Sequence, residues 1–174
     1  MTTAGILKKM IDYSAGNHHD IQHFMRVYAY AELIGRCEGL DAETQTTLEI
    51  AAIVHDIACP LCRKKYGSAN GKLQEQEGPA LARELLADCG LPSAQLERVC
   101  YLVGHHHTLT NIDGMDYQIL IEADYLVNSD DENASESAIW AMLKKSYQTK
   151  TGIALLKSIH QLHEWKEEKT SESS

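Results

Sequence analysis

Apolar residues recur at helical spacing along almost the whole chain, and this periodicity limits what it can fold into more than any other feature. Ile6, Leu7, Met10 and Ile11 fall on one stripe of a segment covering about residues 3–14. Residues 18–37 form a second helix, with Ile21, Phe24, Met25, Tyr28 and Leu33 expected inward and Gly39 just past its end. Asp41 suits the N-cap of a third helix, which carries Leu48, Ile50, Ala51, Ile53 and Val54 up to His55-Asp56. Further helices are expected at 72–89, from Pro92-Ser93 to the "VGHHHT" stretch, over 115–128, around Trp140 and Leu143, and over 151–167. Strand-type alternation is scarce and prolines number only three. "CPLCRKKYGSANGK" and "TLTNIDG" read as loops, and "SDDENASES" as a polar linker. No repeat or boundary divides the 174 residues. The expectation is an all-α, single-domain irregular helical bundle over 1–168, with a disordered tail at 169–174.

A net charge of −9 argues against a nucleic-acid surface or an anionic membrane as partner. No segment approaches the ~18 apolar residues of a membrane span. Lys8 and Lys9 interrupt any signal-peptide core. Five cysteines follow no secreted framework, and "CPLC" at 59–62 lacks the second pair of a closed zinc site. These features suggest a cytoplasmic protein with reduced thiols.

Against this apolar background stand several ionisable residues. His23 lies among Ile21, Phe24 and Val27, and His55 and Asp56 end the apolar run "AAIV". His105, His106 and His107 close the helix "YLVG", and Asp124 sits within "ILIEADYLVN". Each one alone has a plain explanation as a hydrogen-bonded surface or core residue. Together they would bury several charges, each costing several kcal/mol without a partner. A divalent cation solves this economically, because it neutralises carboxylates and accepts neutral imidazoles. Adjacent helical residues point roughly 100° apart, so His55 and Asp56 reach one ion only near a helix end. Pro60 forbids helix continuation there. The donor mixture leaves Mn, Fe, Co, Ni, Zn and Mg open.

His23 within "HDIQHFMRV", His55-Asp56 within "IVHDIA" and Asp124 within "EADYLVN" give the order His, His-Asp, Asp. This pattern resembles the HD-domain metal-dependent phosphohydrolase superfamily over about residues 18–130. The resemblance implies an HD-type helical fold and a metal site of His23, His55, Asp56 and Asp124. It also implies hydrolysis of a small phosphorylated metabolite, a nucleotide above all. Gln74 stands where the binuclear branch of the family carries a further His, so one ion per chain is expected. Asp56, His105 and His106 are the catalytic candidates, Asp56 as ligand and water-orienting group and His105 and His106 as ligands of a second ion, phosphate contacts or general acids, with His107 outside the site. Arg26, one turn after His23, is a candidate phosphate contact, with an ion pair to Asp20 or another acid as the alternative. Lys64 and Lys65, beside Arg63 and Lys72, are phosphate candidates whose alternative is a solvated surface. The C-terminal helices suit packing or a homodimer contact. Two other functions stay open: an iron-dependent oxygenase of the same fold, and a non-enzymatic nucleotide-binding sensor.

Overall fold

The computed structural model describes residues 1–162. Among them the regular structure is entirely helical. The helices are α1 (Thr3–Tyr13), α2 (His18–Cys37), α3 (Ala42–Val54), α4 (Cys59–Tyr66), α5 (Gly71–Leu86), α6 (Ser93–Val103), α7 (Met115–Asp131), α8 (Glu136–Ser146) and α9 (Lys150–Ile159). Their starts are specified locally. Asp41 accepts hydrogen bonds from the backbone N–H groups of Glu43 and Thr44, and Asn17, Asn70, Ser135 and Thr149 cap α2, α5, α8 and α9 in the same manner.

Two helices form the centre. Every residue of α3 from Thr47 onward is buried, and so is His55 just beyond its end. In α7 the buried run extends from Asp116 to Asp124. A helix buried all round has no polar face, which is why these two show weak amphipathic patterning. α2 packs across both, α6 closes the other side of α3 with α5 behind it, α1 lies over α3, and α9 lies against α7 and α2.

Three local expectations need correction. Met25 and Leu33 are 38 % and 44 % exposed; the stripe that α2 buries is His23, Phe24, Val27, Ala31 and Ile34, spaced by three and four. Residues 59–66 are a helix rather than a loop. Pro60 sits in the first turn of α4, where its missing N–H costs nothing, and Gly67 ends the helix at φ 70°. The basic run Arg63-Lys64-Lys65 is the last turn of that helix, where positive charge is favoured. α7 runs on through Ser129–Asp131 and so shortens the polar linker. The expected tail at 169–174, Trp165 and the last helix beyond Leu162 lie outside the described residues.

A buried acid that the pattern did not single out secures the C-terminal helices. Glu122 is fully buried. Its carboxylate accepts from Gln118 Nε2 at 2.6 Å, from the backbone N–H of Gln148 at 2.7 Å and of Thr149 at 3.0 Å, and from the Thr149 hydroxyl. It thereby caps the start of α9. A Cβ on Gly152 would overlap Glu122 Oε2 and stand 2.7 Å from Thr149 Oγ1. Gly152→Ala is therefore expected to destabilise the fold by roughly 1–3 kcal/mol, the usual cost of overpacking. An unchanged urea midpoint would show that α9 gives way without loss.

Candidate metal centre

Four elements deliver the site. His23 comes from the second turn of α2, His55 and Asp56 from the corner between α3 and α4, and Asp124 from the middle of α7. His106 and His107 lie in the turn after α6.

His55 is fully buried, His23 and Asp124 are 6 % exposed, and His106 is 2 % exposed. His55 Nδ1 is 2.8 Å from Ala52 O, and His106 Nδ1 is 2.9 Å from Val103 O. A carbonyl can only accept, so each Nδ1 carries the proton and each neutral ring keeps a lone pair on Nε2. These Nε2 atoms face the cluster. His23 Nε2 lies 3.1 Å from His55 Nε2, 3.2 Å from Asp124 Oδ1 and 3.4 Å from Asp56 Oδ2. His55 Nε2 lies 3.6 Å from Asp56 Oδ1 and 3.5 Å from Asp124 Oδ1. His106 Nε2 is 3.4 Å from Asp56 Oδ1.

These separations fit donors around one ion. Ligands ~2.1–2.5 Å from a shared centre and at right angles to one another stand ~3.0–3.5 Å apart. Asp124 Oδ1 and His106 Nε2 are buried yet make no hydrogen bond among the described residues. Such atoms in a native interior call for a partner, and a divalent cation supplies one. Two donor groups of three share Asp56: His23, His55 and Asp56, and Asp56, His106 and His107.

The charges are already balanced against one another. Burial works against a proton on His55, but Asp56 and Asp124 outweigh it and push its pKa up to about 9. Burial likewise works against the charge on both acids. His55 and His106 outweigh it for Asp56, and His23 and His55 for Asp124, so both carboxyls are held well below the usual range.

Two clefts open from the cluster. One, of about 250 Å³, is lined by His19, Asp20, His23, Asp56, Arg63 and Asp131 among others. The other, of about 160 Å³, passes His106, His107 and Asp124 toward α8. Asn128 borders both.

A family model for the HD domain matches residues 20–169. The chain belongs to the HD-domain family. A crystal structure of a predicted HD superfamily hydrolase from an uncultured Thermotogales bacterium shares this fold at a TM-score of 0.67 and 23 % identity, covering 91 % of this chain and 84 % of that one. No curated protein matches the chain. No helix among the described residues is long and apolar enough to cross a membrane.

The HD-domain fold thus brings His23, His55, Asp56, Asp124 and His106 together. It does not bring in every other candidate. His105 turns away: its Nδ1 donates to Tyr101 O at 2.7 Å and its ring stacks on Tyr101 at 4.1 Å. His107, expected outside, is the residue that joins His106. Arg26 takes the ion-pair alternative, with Asp130 at 3.1 Å and Asp131 at 2.5 Å, while Asp20 pairs with Arg63. Those carboxylates neutralise the charge that a phosphate would need. Lys65 pairs with Glu77 at 2.9 Å and Lys64 is exposed on the same helix; Arg63 is the residue of that run that lines the cleft. Gln74 is buried, and its Nε2 donates to Ala69 O at 2.7 Å.

The supporting residues had no signal of their own in the sequence. Tyr117 OH lies 2.7 Å from both His105 O and Thr108 O, and so ties the histidine turn to α7. Glu75 accepts from the His107 N–H and the Thr108 hydroxyl, each at 3.0 Å. Asp131 Oδ2 stands 3.8 Å from His23 Nδ1. Tyrosines and surface acids are common on helices, so only tertiary contact reveals these roles.

The balance of charges predicts how pH acts on metal-free protein. His55 has a raised pKa, so its contribution to stability is complete below about 6.5 and is lost as pH rises through about 9. Asp56 and Asp124 have lowered pKa values, so their contribution holds above the ordinary carboxylate range and is lost on strong acidification. A metal must displace the His55 proton, so its affinity should rise over the same alkaline interval. Tm measured from pH 6.5 to 9 should therefore fall in chelator and fall less, or rise, with Mn²⁺. Parallel curves would rule out proton displacement at His55.

Proposed function

We propose that this HD-domain protein is a divalent-metal-dependent phosphohydrolase that acts on a small phosphorylated metabolite, with nucleotides the first class to test. The observation that carries the reading is the convergence of two imidazole and two carboxylate donors, 3.1–3.6 Å apart, beside an open cleft. A divalent ion held by His23, His55, Asp56 and Asp124 would lower the pKa of a bound water and polarise a phosphoryl oxygen. Asp56 has two tasks. One oxygen faces His23, and the other is 3.4 Å from His106 Nε2. Its carboxylate can therefore serve as a ligand and also orient an attacking water. His106 is fixed by its Nδ1–H bond to Val103 O, so Nε2 is the atom available to hold or release a proton. The burial of these groups excludes bulk water and strengthens each electrostatic contact. Arg63 is the cation nearest the cleft, although Asp20 occupies it in this structure.

The second donor group, Asp56 with His106 and His107, favours one alternative: a two-metal site, on which the oxygenase reading depends. Gln74 in place of the further His is the reason for preferring a single tight ion. Desalted protein is expected to retain about one equivalent of metal by elemental analysis, and two equivalents would favour the alternative. Oxygen consumption by the iron-loaded protein would then decide the chemistry.

Asp56→Ala should lose the metal and lower any phosphomonoesterase activity by roughly 10³-fold or more, ~4 kcal/mol of transition-state stabilisation. The helical circular dichroism signal should remain, because removing a buried acid together with its ion is close to neutral. Undiminished activity in metal-free Asp56→Ala protein would end the hydrolase reading.

A further inference from the structure

The two clefts that meet at the metal centre differ sharply in chemistry. The larger one presents four carboxylates, Asp20, Asp56, Asp131 and Glu132, against Arg63, which is already paired with Asp20. A chain of further phosphate groups would meet net negative charge along that route. The smaller cleft leaves the cluster between His106 and Asp124 and is walled by Leu109, Ile121, Tyr125 and Met142. Ile121 is 3 % exposed, and Tyr125 and Met142 pack against the core, so this wall is held in place. Asn128, one helical turn beyond Asp124, borders both clefts, and its carboxamide has no hydrogen-bond partner among the described residues.

We propose that the smaller cleft is the leaving-group subsite, built for a flat, uncharged, largely apolar group ester-linked to a single terminal phosphoryl group. Asn128 contacts the polar junction between the two. The inference rests on the hydrolase reading and narrows it. The substrate class is a phosphomonoester of an aromatic or similarly planar alcohol, rather than a polyphosphate or a short charged phosphoester. A cleft of about 160 Å³ suits a single aromatic ring, since an apolar cavity of roughly 150 Å³ holds benzene, and Leu109, Ile121, Tyr125 and Met142 supply its apolar side.

The test is direct binding to Mn²⁺-loaded protein by calorimetry, with phenylphosphonate and methylphosphonate as the probes. Phenylphosphonate should bind at least about tenfold more tightly, equivalent to ~1.4 kcal/mol. Met142→Trp, which fills the cleft, should remove that preference. The wild-type comparison decides the matter even if the variant does not fold. Equal affinities would overturn the subsite and leave the hydrolase reading standing, as would a preference that persists in a folded Met142→Trp variant. If neither probe binds while the metal does, both readings fall.

Discussion

Five ionisable side chains share one interior space, and the rest of the fold is arranged to make that tolerable. A single carboxylate or imidazolium taken from water into this interior would cost several kcal/mol. Here Asp56 and Asp124 face His23, His55 and His106 at 3.2–3.6 Å, and each group lowers the cost of burying its neighbours. The central position of α3 follows from this. It must be buried all round to carry His55 to full burial, and it must end at Val54 so that Asp56 can turn toward the same point. Tyr117 and Glu75 then hold the turn that presents His106 and His107.

α7 shows how a structural acid differs from a functional one. Glu122 and Asp124 are two residues apart and point about 200° apart around the helix axis. Both are buried. Glu122 has its carboxylate met by Gln118, Gln148 and Thr149, and its task is complete within the fold. Asp124 leaves a buried oxygen without a hydrogen bond, 3.2 Å from His23 Nε2 and 3.5 Å from His55 Nε2. A satisfied buried charge holds structure together, whereas one left open marks a place for something else. Arg26 adds a related point. Its pairs with Asp130 and Asp131 tie α2 to the end of α7, and Asp131 in turn stands near His23, so this charge cluster supports the site from outside.

Much of the fold was legible because its signals are local. The cap at Asp41, the stripe of α1 and the break before Pro92 are each written within a few residues, and the helices begin and end close to where those signals lie. α4 was not legible, because a proline, a glycine and three basic residues describe a loop as well as they describe a one-helix corner with Pro60 in its first turn. The outward turn of Met25 and Leu33 was missed because α2 has more apolar residues than its buried face can use. Within the site, the apolar neighbours of His23, His55 and Asp124 made those residues conspicuous. Three consecutive histidines after α6 offered no such contrast, and only the path of the turn separates His106 and His107 from His105.

What the sequence determined by itself was the inventory: which helices form, and that charged donors would be carried into an apolar interior. Burial of ionisable groups is predictable from pattern, because the cost of desolvating them is a property of the residue and its immediate neighbours. Tertiary structure decided which of them meet. Residues 23, 55, 106 and 124 come from separate helices and turns, and their convergence within about 3–4 Å depends on how α2, α3, α6 and α7 cross. It also decided that Arg26 would be taken up by α7 and that the centre would open into one acidic cleft and one with an apolar wall. Those outcomes follow from packing between distant segments, which no local spacing along the chain encodes.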